Sequence, residues 1–119
     1  MKLRNTMIEQ AYERELIASR NALFSSDNCR PILDALRQIC GDVKVAFILC
    51  HTPEQGEDLF RIFVNGEKII GFTLPKGSAD GKIEDVVILN VSEYRKLLRG
   101  RPALIQLEAA INLTKLDMK

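Results

Sequence analysis

The feature that most constrains the fold is the dipeptide Asn65-Gly66, which lies between two β-rich segments, 59–64 and 68–74. Both central residues of a two-residue hairpin turn take positive φ, and asparagine followed by glycine tolerates this best. The sequence therefore predicts an antiparallel hairpin. A two-residue turn sets the cross-strand pairs Val64–Glu67, Ile62–Ile69 and Phe60–Gly71. In the last pair an aromatic ring would cover the bare backbone of a glycine.

Two more strands and four helices are predicted around this hairpin. Residues 43–50 are almost continuously apolar, which is typical of a central strand covered on both faces, and residues 86–91 are again apolar throughout. Helical periodicity and end signals predict the segments 6–24, 31–40, 92–99 and 102–116. Pro31 fits the first turn of the second helix, Gly41 ends it, and Ser92 is the expected N-cap of the third.

The order of these elements predicts the fold class. Strands collected in the middle of the chain, with helices on both sides, indicate an α+β fold. We expect an N-terminal helical hairpin, a four-stranded and mainly antiparallel sheet, and two C-terminal helices. A chain of 119 residues has the size of one domain, so residues 1–119 are taken as a single unit.

Motifs for catalysis and cofactor binding are missing from the sequence. The glycines never form GxGxxG or GxxxxGK[ST], and GxSxG does not occur, so we expect no nucleotide cofactor and no serine nucleophile. Cys29, Cys40, Cys50 and His51 lack the close ligand pairs of zinc sites, so no metal is expected. Cys50 and His51 are adjacent, and neighbours on a strand point to opposite faces. The predicted protein is not an enzyme.

Charge and hydropathy limit the expected cellular location of the protein and the classes of partner it is expected to bind. Seventeen Lys and Arg balance sixteen Asp and Glu, for a formal charge of +1. No apolar run approaches the roughly 20 residues of a membrane span. The start of the chain does not resemble a secretion signal, and an odd number of cysteines suits reduced thiols, so we expect a cytoplasmic protein. The basic cluster around Arg95 and Arg99 has only Tyr94 nearby for stacking, which argues against nucleic-acid binding.

The layout of the acidic residues supplies the main functional hypothesis. If the strands form an up-and-down meander, the connections 51–58 and 75–85 lie at the same end of the sheet. The carboxylates gathered there, which are the predicted partner-binding residues, are Glu54, Glu57, Asp58, Asp80, Glu84 and Asp85. An acidic surface suits docking to a basic protein. We therefore predict a small inhibitor, of the immunity or antitoxin type, that neutralises a basic toxin or nuclease. The apolar C-terminal helix adds the expectation of a homodimer through that helix.

Other interpretations remain open at this point. The acidic residues could serve solubility alone. A small α+β enzyme or ligand-binding domain would place its site near Cys50, His51 and Arg61, where a strand becomes a loop. An RNA-binding protein would use the basic residues 95–101 and would show affinity that falls steeply with salt.

Overall fold

The structure, a computed structural model, describes residues 7–76 and 83–118, without the side chain of Asn28. Its helices and strands follow the predicted order. They are α1 (Met7–Ser25), α2 (Arg30–Cys40), β1 (Ala46–Glu54), β2 (Glu57–Val64), β3 (Lys68–Pro75), β4 (Glu84–Asn90), α3 (Val91–Leu97) and α4 (Arg101–Asp117). A short 3₁₀ turn, Asp27–Cys29, joins the first two helices. The predicted α+β class is confirmed.

The four strands form an antiparallel meander in the order β1-β2-β3-β4. The β1–β2 and β3–β4 connections therefore lie at the same end of the sheet. The first of them is shorter than predicted, because β1 continues to Glu54 and β2 starts at Glu57. Much of the predicted loop 51–58 is thus strand, and Gly56 takes the positive φ of 91° that the tight turn needs.

The hairpin at Asn65-Gly66 exists, but its predicted register is wrong by one residue. Asn65 and Gly66 have φ of 54° and 71°, and the Glu67 amide donates to the Val64 carbonyl at 3.1 Å. Glu67 is an additional loop residue, so the pairs are Val64–Lys68, Ile62–Ile70 and Phe60–Phe72. This register places Ile70 and Phe72 on the same face as Ile62 and Phe60. The apolar pattern of β3 thus decides the register, because a shift by one would move these side chains to the opposite face and would leave Gly71 and Thr73 in their place beneath α2.

Each face of the sheet carries its own core. On one face Phe47, Phe63 and Ile69 pack with α1 and α4, whereas on the other Ala46, Ile62 and Ile70 pack with α2. β1 is an edge strand and not the central strand predicted. It is nevertheless covered on both faces, which explains its continuous apolar sequence. β4, the other edge strand, leaves several apolar side chains exposed.

The C-terminal helices show which side chains of α4 are buried and which residue caps α3. The side chains of α4 that are buried in the chain's own core are Ile105, Leu107, Ala109, Ala110 and Leu113. The N-cap of α3 is Asn90 and not Ser92, because the Asn90 side chain accepts from the Glu93 amide while the Glu93 carboxylate accepts from the Asn90 amide.

None of the helices described within residues 7–76 and 83–118 is long and apolar enough to cross a lipid bilayer.

Candidate functional site

Five of the six predicted partner-binding carboxylates lie at the end of the sheet formed by the β1–β2 and β3–β4 connections. Glu54 pairs with Glu57 across the first connection, and Glu84 pairs with Thr73 at the start of β4. The two connections are held close together, because the Lys76 amide donates to the Gly56 carbonyl at 2.9 Å. We call Glu54, Glu57, Asp58, Glu84 and Asp85 the acidic end. Asp80 lies outside the described residues.

The carboxylates of the acidic end differ in solvent exposure and in whether they already have a partner within the chain. Glu54, Glu84 and Asp85 are exposed, whereas Glu57 and Asp58 are half-buried. The Asp58 Oδ1 lies 3.2 Å from His51 Nε2, so this carboxylate already has a partner. Asp85 is the extra residue of a bulge in β4, and its φ of 54° is one that aspartate tolerates better than most residues.

His51 belongs to a row of stacked rings that crosses three strands. Its imidazole stacks on Phe60 with ring centroids 4.4 Å apart, and Phe60 stacks on Phe72 at 5.4 Å. Phe60 and Phe72 belong to the core beneath α2. This packing fixes the imidazole beside Asp58 and holds both side chains on the α2 face of the sheet.

On the opposite face, a groove of about 430 Å³ adjoins the acidic end. Residues lining it include Cys50, Thr52, Leu59, Arg61, Asp85 and Val87. Leu97 of α3 also lines the groove, so part of its wall is helical. The groove is mainly apolar, with one arginine and a few hydroxyl and thiol groups, a composition common in sites for small organic ligands.

Arg61 is the distinctive residue of this groove. Its Cγ would lie 3.9 Å from a Cβ built at Gly71, an ordinary van der Waals distance, so the arginine stem lies beside this residue of β3. The guanidinium carbon lies 5.9 Å from the centre of the Tyr94 ring, within reach of a cation–π interaction. Within residues 7–76 and 83–118, no carboxylate forms an ion pair with Arg61. The register predicted from the sequence paired Gly71 with Phe60, so this contact was not predicted.

Among the residues that the structure describes, two ionisable groups have shifted pKa values. Burial raises the pKa of the Tyr94 hydroxyl, and the hydrogen bond and charge of Arg61 oppose that increase. Burial also raises the pKa of the Cys40 thiol, against the opposing charge of Lys68. In both cases the neutral form is favoured, as expected for groups withdrawn from water.

The three residues of the alternative site do not share one face. Cys50 and Arg61 line the groove, and the Cys50 Sγ lies 3.6 Å from Thr52 Oγ1. His51 lies on the other face beside Asp58, so it cannot serve as a base for the Cys50 thiol in this arrangement. Across the described part of the chain, His, Cys, Asp and Glu side chains form no group of three or more that could hold a metal ion.

The basic residues near α3 are less segregated than the sequence suggested. α3 begins at the end of the sheet opposite to the acidic end, but it turns back over the sheet and brings Leu97 to the groove. Arg95 forms an ion pair with Glu108 of α4 at 2.6 Å. The basic helix is therefore not confined to the opposite end.

Comparison of the chain with protein-family models, with curated proteins and with solved structures gave no match. What the protein does is therefore inferred from the acidic end and from the groove beside it.

Proposed function

We propose that this chain is a small protein-binding module whose acidic end contacts a basic protein. In its specific form, it is an inhibitor of the immunity or antitoxin type that neutralises a basic toxin or nuclease by direct binding. The observation that carries this proposal is the gathering of Glu54, Glu57, Asp58, Glu84 and Asp85 at one end of the sheet.

The geometry of the acidic end favours such a contact. The β1–β2 connection is a tight turn, and the Lys76–Gly56 hydrogen bond ties it to the end of β3. Carboxylates on short connections lose less conformational entropy on binding than carboxylates on a mobile loop. Complementary charge also accelerates the encounter of two proteins and selects among partners. Both effects support a role in protein binding, and neither requires a catalytic group.

The test compares two triple variants with the same change in charge. The first, Glu54→Gln/Glu57→Gln/Glu84→Gln, neutralises the acidic end while keeping Asp58 beside His51 and Asp85 in its bulge. The control, Glu15→Gln/Asp34→Asn/Glu67→Gln, neutralises exposed carboxylates elsewhere on the molecule. Proteins captured from the source cells by the parent chain are identified, purified and titrated against all three chains.

We expect a basic partner that the control variant binds as the parent does and that the acidic-end variant binds about tenfold more weakly. That factor corresponds to three surface ion pairs of about 0.5 kcal/mol each. Addition of the parent chain should suppress the activity of the partner. Equal affinity for both variants would remove the acidic end as the contact surface. A partner whose activity is unaffected by the parent chain would remove the inhibitor role.

A ligand-binding or enzymatic role for the groove is the second candidate. It is favoured by Arg61, an exposed cation without a carboxylate partner in the described part of the chain, within a mainly apolar groove. Such a site suits a small organic anion, since the guanidinium binds carboxylates in a bidentate manner. In this case Arg61→Met would abolish function, whereas neutralising the acidic end would not.

A further inference from the structure

The two edge strands of the sheet, β1 and β4, differ in how far they are covered by the rest of the chain. The outer edge of β1 is occupied by helical side chains. The Ile48 amide donates to Ser19 Oγ at 3.0 Å, and the Leu49 carbonyl accepts from Gln106 Nε2 at 2.8 Å. On β4 the side chains of Val86, Val87 and Ile88 are 42%, 53% and 50% exposed. An open edge with apolar side chains is a template for pairing with another strand.

The pairing register shows which backbone groups of β4 are available. The Asn65 amide donates to the Val45 carbonyl, so the backbone groups of Val45 face β2. The backbone amide of Ile48 faces away from β2, toward Ser19. Hydrogen-bonded and outward positions alternate along antiparallel strands. Carried across β2 and β3, this alternation leaves the amide and carbonyl groups of Val86 and Ile88 on the outer edge of β4. Within residues 7–76 and 83–118, no side chain hydrogen-bonds to these groups.

We propose that β4 pairs antiparallel with β4 of a second copy of this chain, about a two-fold axis at Val87. Val86 of each copy then lies opposite Ile88 of the other, and each such pair exchanges two backbone hydrogen bonds. The two Val87 side chains meet on one face, while Val86 and Ile88 cover each other on the opposite face. A two-fold contact of this kind is closed, so it stops at a dimer with a continuous eight-stranded sheet.

The character of the edge favours a second copy as its occupant, because residues 86–88 are apolar and uncharged and would meet the same residues of the other chain. Since the bulge at Asp85 pairs Glu84 with Thr73 on β3, Glu84 of one chain lies opposite Leu89 of the other in the proposed register. The two acidic ends lie on opposite sides of the two-fold axis and therefore stay apart. Pairing stops at Asn90, because its amide already donates to the Glu93 carboxylate at 3.0 Å.

This interface differs from the dimer through the C-terminal helix that the sequence suggested. The apolar residues of α4 lie largely within the chain's own core, among them Ile105, Leu107 and Leu113. Leu116 is the most exposed apolar residue of α4, at 66%. It therefore provides a matched control for the residues of β4.

The test is the mass in solution of three chains, measured by light scattering after size exclusion. The parent chain should have twice its monomer mass of 13.4 kDa. Val87→Lys places two like charges face to face and should raise the dissociation constant at least tenfold, or about 1.4 kcal/mol. Leu116→Lys should leave the dimer intact. Since both positions are exposed, circular dichroism should show that both variants stay folded.

A disulfide provides a second measurement. Directly opposite positions of a non-hydrogen-bonded pair have Cα atoms about 4.5 Å apart, within the range of a disulfide. Val87→Cys in a Cys50→Ser background should form a cross-linked dimer on mild oxidation, and Leu116→Cys in that background should not. A monomeric parent chain would overturn the proposal. So would dissociation by Leu116→Lys but not by Val87→Lys, which would indicate a dimer through α4.

Discussion

At Gly66 two independent constraints exclude a side chain. Its φ of 71° is in the left-handed region, and a Cβ there would lie only 2.8 Å from the Thr114 Cγ2. Gly56 shares the positive φ, at 91°, but a Cβ there would meet nothing within 4 Å. The two glycines therefore separate the cost of the backbone conformation from the cost of crowding.

We predict that Gly66→Ala destabilises the protein more than Gly56→Ala does. Gly56→Ala should cost about 1 kcal/mol for the backbone conformation alone, and Gly66→Ala about 1–3 kcal/mol more for the crowding. Thr114→Ser removes the crowding methyl but keeps the hydroxyl that donates to the Ala110 carbonyl at 2.8 Å. It should therefore recover most of the added loss in the Gly66→Ala background.

Urea unfolding of the single and double variants measures these differences. Equal losses for the two glycine variants, or additive effects of Gly66→Ala and Thr114→Ser, would show that the contact with Thr114 does not limit residue 66.

Tyr94 gives the protein a predictable sensitivity to alkali. Burial raises the pKa of its hydroxyl, although Arg61 opposes the shift. A group whose pKa is higher in the folded state contributes stability below its unfolded pKa, about 10 for tyrosine, and that contribution is lost as the pH rises through the folded pKa. The urea midpoint should therefore fall above about pH 10, and Tyr94→Phe should make this fall shallower.

The measurement is a series of urea titrations from about pH 8 to 11. Tyr12→Phe, at the other tyrosine of the chain, controls for loss of a hydroxyl. The slope that remains in Tyr94→Phe is assigned to Cys40, because burial also raises the pKa of its thiol. Identical slopes in the parent and in Tyr94→Phe would contradict the assignment to Tyr94.

At the scale of an element, the start of α3 shows why the N-cap predicted from the sequence, Ser92, differs from the N-cap in the structure, Asn90. Ser92 and Asn90 are both good N-cap residues, and both precede the helical segment by little. Asn90 becomes the cap because Glu93, three residues later, completes the reciprocal pair of hydrogen bonds. Starting the helix at Val91 also places Tyr94 in the core.

Asn90→Ala should therefore destabilise the protein by about 1 kcal/mol, the usual value for the loss of an N-cap. Ser92→Ala should change the stability by less than about 0.5 kcal/mol, because this residue is exposed within the first turn. Thermal unfolding of the two variants measures both values. A larger loss for Ser92→Ala than for Asn90→Ala would move the cap to Ser92.

At the scale of the whole molecule, the acidic end and the open edge of β4 are compatible. Glu84 and Asp85 lie at the start of β4, whereas the proposed dimer axis passes through Val87. Antiparallel pairing would direct the acidic ends of the two copies away from each other. Glu54 and Glu57, on the β1–β2 connection, lie across the sheet from the paired edge. A dimer would thus present two separate acidic ends to basic partners.

Local signals determined which elements form and in what order. Asn65-Gly66 specified a turn, Gly41 ended α2 with a φ of 80°, and continuous apolar segments marked the strands. These signals act within a few residues, so they can be read without knowledge of the rest of the chain. Together with the meander, they were also enough to place most of the acidic carboxylates at one end.

Register, edges and site required contacts between distant residues. Val64 pairs with Lys68 because Ile70 and Phe72 must join the core beneath α2, and no signal within the turn contains that information. The groove is likewise lined by residues of different strands, among them Arg61 of β2 and Gly71 of β3, which pair across the sheet. Burial is a property of the assembled layers, which is why β1 is covered at one edge while Val87 is exposed at the other.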